Sequence, residues 1–172
     1  MENNIDKKTE FKQKFFNILN KNKLKIYILI CTLIVIITAT ISLNIIKEKK
    51  NFLIAEKYIS AGLYLINDNK EKSKNLYEEI VLSKNKFYSI LALNALIEKK
   101  LINDNDKILE YFDLTKSLNI SQSQKDLIDL KKALYLIKIK NEEKGHSILK
   151  NLVDQNSTLS SLAKELFDKW KE

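Results

Sequence analysis

The sequence predicts an all-α protein, with one N-terminal transmembrane helix followed by a stack of helical hairpins. Three observations carry that reading. Glycine occurs twice and proline never in 172 residues, whereas a fold rich in turns or sheets needs more of both. A run of 21 residues without a charge, IYILICTLIVIITATISLNII at 26–46, is long enough to cross a bilayer as a helix. Finally, the phrase LYLINDNKEKSKNLYEEI, starting at Leu63, returns 71 residues later as LYLIKIKNEEKGHSILKNL, starting at Leu134.

The charges sit where a membrane anchor needs them. The net charge is +8, and all 30 basic residues are Lys. Residues 1–46 carry seven Lys against three acids, and 47–50 (KEKK) add +2. The remaining 122 residues hold 20 Lys and 18 acids, a balance of only +2. A nucleic-acid-binding domain concentrates Lys and Arg on one face, and Arg carries much of direct base readout. Neither feature is present, so no nucleic-acid partner is expected. The apolar run is too long for a cleaved signal peptide and no A-x-A-like site closes it. Cys31 lies inside the run after Ile30, not after the small residue a lipoprotein site wants. One Cys allows no intrachain disulfide.

Lys12, Lys14, Lys21, Lys23 and Lys25 precede the run, and Lys47, Lys49, Lys50 and Lys57 follow it. The denser upstream cluster favours a cytoplasmic N-terminus, and a long downstream domain translocates largely regardless of its charge. The expected organisation is a basic cytoplasmic tail at 1–23, a signal anchor in the lipid bilayer at 24–47, and a helical domain at 48–172 outside the cytoplasm.

Within that domain the spacing predicts seven helices, at 51–66, 70–83, 87–102, 105–116, 122–139, 142–154 and 158–170. The first is expected to continue from the span, because nothing in IIKEKKNFLIAEKY breaks a helix. Polar clusters at 67–69 (NDN), 103–106 (NDND) and 141–143 (NEE) read as turns and caps. Asp68 with Glu71, and Ser121 with Gln124, have capping-box spacing. Leu76, Tyr77, Ile80 and Val81 form one helix face, and Ile148, Leu149, Leu152 and Val153 repeat it 72 residues on. Leu159, Leu162, Leu166 and Phe167 are expected to cover the last hairpin. Odd-numbered helices are the more apolar, even-numbered ones amphipathic. Such alternation describes hairpins that bury their apolar faces against one another.

The domain resembles the tetratricopeptide family over 52–170. Ala61, Tyr64, Ser73 and Tyr77 fall at that family's small and aromatic positions. Ala133, Gly145 and Leu149 repeat the spacing of Ala61, Ser73 and Tyr77, and Ala92 and Ala163 suit the other first-type helices. Asp104 falls where a small residue should, so the middle repeat departs from the pattern, and the family's Trp and closing Pro are absent. The layout of short basic tail, single uncleaved span and about three such repeats, with hairpin starts like YSILAL, is similar to the YfgM-type inner-membrane proteins. That family accompanies the SecYEG translocon and periplasmic chaperones. The resemblance implies a bacterial inner-membrane scaffold with translocon subunits or periplasmic chaperones as protein partners. A structural subunit of another envelope or cell-division complex is the alternative.

No catalytic, cofactor or metal residues are expected, and the chain is not expected to be an enzyme. His146 is the only His, so no His-pair metal set forms within the chain, and it reads as an exposed surface residue. Glu78-Glu79 and Glu142-Glu143 read as solvated acids. Tyr58, Tyr64, Tyr77, Tyr88, Tyr111 and Tyr135 read as core filler, except where one faces the concave side and anchors a peptide. Partner contacts are expected from the first-type helices at 51–66, 87–102 and 122–139.

Overall fold

The computed structural model describes residues 22–170; the expected tail at 1–23 lies almost wholly outside them. All secondary structure among the described residues is α-helix. In chain order the helices are α1 Lys23–Ile66, α2 Lys70–Leu82, α3 Tyr88–Glu98, α4 Asn105–Lys116, α5 Gln122–Lys138, α6 Glu142–Asp154 and α7 Ser160–Lys169. The chain divides into two compact units between Lys50 and Asn51, a cut inside α1.

In the first unit α1 is long and apolar enough to cross a membrane. Its described side chains from Lys23 to Lys50 are all exposed, unlike those of a soluble core helix. The hydroxyls of Thr32, Thr38, Thr40 and Ser42 donate to carbonyls three or four residues back, at 2.8–3.0 Å. Their polarity is therefore satisfied within the helix, as a lipid environment requires.

The second unit runs from Asn51. Each helix from α2 onward packs on its neighbours in the chain, and α2 also touches α4. One core cluster joins Ala61, Tyr77, Ile80, Val81, Ala92, Leu96, Ile108, Phe112 and Ile128. A second joins Leu130, Ala133, Ile137, Leu149, Leu152 and Ala163. The small residues singled out by spacing, Ala61, Ser73, Ala92, Ala133, Gly145 and Ala163, are all buried. Absent or short side chains let neighbouring helices approach closely. A Cβ built on Gly145 would stand 2.6 Å from Ile137 Cγ1 and 2.9 Å from the Ala133 carbonyl oxygen.

One helix end departs from expectation by more than two residues, and the reason is local. α3 stops at Glu98, not at residue 102. Lys100 turns left-handed (φ 51°), and the Leu101 N–H bonds back to the Leu96 carbonyl at 3.0 Å. Leu101 and Ile102 are apolar because they pack on the core from a loop, which helical periodicity alone does not distinguish. The longer connector places Asp104 outside the helix, where Oδ1 accepts from the Lys107 N–H at 3.1 Å. Asp104 is therefore a cap, and not the small residue of a helix contact that the expected spacing asks for there. Asp68 and Glu71 do not form a capping box. Asp68 closes α1 in a left-handed conformation (φ 55°), and Asn69 caps α2 by accepting from Lys72 N at 3.2 Å. Ser121 and Gln124 do form their box, with Gln124 Oε1 accepting from Ser121 N at 3.1 Å. On α7, Ala163 supplies the buried contact while Leu162 is exposed. Leu159, Leu166 and Phe167 pack as expected.

Candidate functional site

A cleft of about 240 Å³ opens between α3 and α5. α3 lines it with Asn94, Ile97 and Glu98, and α5 with Lys131, Leu134, Tyr135 and Lys138. Spacings of three and four residues place each set on one side of its helix. Phe112 of α4 forms the floor.

Each side chain is held differently. The Phe112 ring is buried and lies 5.9 Å from that of Tyr135. The Tyr135 hydroxyl donates to Asn105 Oδ1 at 2.7 Å, so its polar tip is tied down while its ring remains a wall. Burial raises the Tyr135 pKa above its ordinary value, and the nearby Asp104 adds to the shift. The phenol therefore stays neutral at physiological pH. Lys131 Nζ reaches across to Asn94 Oδ1 at 2.9 Å. Leu134 is part exposed, and Glu98 and Lys138 stand at the rim. The arrangement suits an apolar side chain set in a polar frame, which is the composition of a recognition pocket.

Two other clefts offer less. One, of about 270 Å³, is lined by Asp113, Lys116, Asp129 and Lys132 among others. Its charges pair with each other: Lys116 with Asp129 at 2.8 Å, and Lys132 with Asp113 at 2.5 Å. The other lies between Lys86–Phe87 and the 119–124 segment and is open.

The expected first-type helices therefore supply two walls of the cleft, α3 and α5, while residues 51–66 line none of it. Of the six tyrosines, Tyr135 reaches it. The Tyr58 ring packs edge-on against Tyr77 and tilted against Tyr88, at 5.5 and 5.7 Å, Tyr111 is buried, and Tyr64 lies beneath Lys72. His146 is not the exposed residue the sequence suggested. It is half-buried with its ring 5.6 Å from that of Phe167, and its Nε2 is buried without a hydrogen-bond partner. The cause is α7, which folds Phe167 over it. Among the described residues no three His, Cys, Asp or Glu side chains are placed to hold a metal. Sequence reasoning passed over Asn94, Glu98 and Lys131. Their spacing with Ile97, Leu134 and Tyr135 was visible, but that α3 and α5 line one cleft was not.

No protein-family model, curated protein or solved structure matches the chain.

Proposed function

We propose that the chain is a membrane-anchored, tetratricopeptide-like scaffold that holds a segment of a partner protein in the α3–α5 cleft. The observation that carries this reading is the cleft itself: an apolar floor and wall, with rim charges left available, between two helices of the first type. The order of packing supports the repeat assignment. From α2 onward consecutive helices pack on one another and α2 also touches α4, as expected where each hairpin contacts only its neighbours. The apolar helix α1 anchors the scaffold, and tethering raises its effective concentration toward other membrane proteins. Its place is beside the protein-export translocon and periplasmic chaperones, with the repeat domain outside the cytoplasm. The layout of span and repeats supports that placement.

Photo-crosslinking amino acids at Asn94 and Leu134 test the reading in intact cells. Capture of an export component at these positions, and little capture at Lys74 or Glu143 on the even helices, is the expected outcome. Leu134→Asp should reduce capture at Asn94 without lowering the melting temperature much, because Leu134 is exposed. Crosslinks confined to the even helices would favour a structural subunit of another envelope complex.

A further inference from the structure

The part of α1 beyond Asn51 carries an apolar stripe that no other described residue covers. Phe52, Ile59, Leu63 and Ile66 are 70%, 63%, 56% and 81% exposed. At 3.6 residues per turn these positions fall within an arc of about 60°. Ile54 and Ala61, on the opposite side, are buried in the core. This stretch of α1 is therefore apolar on two faces, and the folded domain uses one. The four open side chains present roughly 500 Å² of apolar surface, the size at which a patch marks an interaction site.

We propose that this stripe is where a second copy of the chain docks, forming a parallel α1–α1 pair. Three features select that occupant. First, Phe52, Ile59 and Ile66 recur every seven residues, the spacing that keeps one seam facing a partner helix. Set about a two-fold axis, each residue meets its own counterpart, so the stripe is complementary to itself. Second, two copies anchored by the same N-terminal span enter the bilayer in the same sense, which makes the pair parallel, as this register requires. Third, the borders of the stripe are Ala55, Glu56, Ser60 and Gly62. An apolar face that lies on an anionic lipid surface is bordered by Lys or Arg. Lys57, the one Lys between residues 52 and 66, pairs with Glu79 of α2, and Lys47, Lys49 and Lys50 stand only at the N-terminal end of the stripe. The pair would bury roughly 1,000 Å² in total, the least a biological interface needs, and confinement of both copies to one membrane strengthens it.

Disulfide trapping in native membranes tests the pair on the full-length chain. Cys31→Ser removes the single native thiol, and Ile59→Cys, Leu63→Cys or Glu143→Cys then places one thiol on the stripe or on exposed α6. Mild oxidation should convert most of the Ile59→Cys chain, and part of the Leu63→Cys chain, to a covalent dimer, leaving Glu143→Cys monomeric. Adding Ile66→Lys to Ile59→Cys should suppress the dimer while circular dichroism shows the fold retained. Monomer at both stripe positions, equal dimer at Glu143→Cys, or capture of a different protein at position 59 would each overturn the proposal. A polarity-sensitive dye attached to the thiol of the Ile59→Cys chain in lipid vesicles separates the remaining occupant. An apolar signal that fades as the chain is diluted in lipid supports pairing. A signal unchanged by dilution would mean that lipid covers the stripe, and the proposal would fail.

Discussion

At position 145 the fold leaves no space for even one methyl group. The nearest atoms to an added Cβ are Ile137 Cγ1 and the Ala133 carbonyl oxygen, and the second belongs to a helix backbone that cannot rotate aside. Alanine is about 1 kcal/mol better than glycine inside a helix, but overpacking costs about 1–3 kcal/mol. Gly145→Ala should therefore lower the melting temperature of the full chain in detergent, and Gly145→Leu should lower it further. Lys144→Leu, on the exposed neighbour, should change it little. Ser73 gives the opposite test at the matching position. Its hydroxyl is buried and has no hydrogen-bond partner, and an unmet buried hydroxyl is costly. Ser73→Ala should hold or raise the melting temperature, whereas Ser73→Leu should lower it. The spacing from Ala61 and Ala133 made both positions legible. Asp126 was not legible, because in QKDLIDL it looks like any surface acid. Folding buries it, with Oδ1 accepting from Gln122 Nε2 at 2.7 Å and Oδ2 from Ser157 Oγ at 2.5 Å. Ser157 is 31 residues away, and no local pattern announces that contact. Asp126→Ala strands both donors and should cost about 1–3 kcal/mol, read from the same melts.

At the scale of elements, helix starts were easier to read than helix ends. Starts carry side-chain signals, and Ser121 with Gln124 is the clear instance. The ends of five segments use left-handed residues instead: Asp68, Lys84, Lys100, Lys140 and Asn156. None of these is glycine, so the usual marker of a helix end is missing. After Lys140, the Asn141 N–H reaches the Leu136 carbonyl at 2.9 Å and the Lys140 N–H reaches that of Ile137 at 3.0 Å. This is the two-bond closure that normally favours glycine at the left-handed position. A residue with a Cβ is strained there by about 1 kcal/mol or more. Lys140→Gly should consequently stabilise the chain, seen as a higher melting temperature. Lys138→Gly, two residues earlier within α5, should destabilise it, because there glycine only adds backbone freedom to the unfolded state. The reverse order would mean that the turn after α5 does not close in this way.

Across the whole molecule, the helical class and the long apolar N-terminal helix were legible because each rests on many residues at once. The cleft was not, because it depends on which helices face each other across it and on the Phe112 floor between them. The same long-range packing collects groups whose titration moves together. Tyr77, Tyr111 and Tyr135 all have pKa values raised above 10.0, chiefly by burial. Lys107 is raised above 10.5, first by its hydrogen bond to Glu78, whose carboxylate lies 2.7 Å away. In the unfolded chain the tyrosines lose their protons near their ordinary value while the folded chain still holds them. Between the two values unfolding releases protons, so raising the pH favours it. Lys107 acts in the same direction: its ion pair is intact below 10.5 and is lost as the pH climbs through the raised value. These contributions are thus fully present at neutral pH and disappear in alkali. Denaturant unfolding across a pH series should show stability level up to about pH 9 and falling above about pH 10. Tyr77→Phe, which keeps the ring and removes the ionisable group, should make that alkaline fall shallower. An unchanged slope in Tyr77→Phe would show that burial of this phenol is not among its causes.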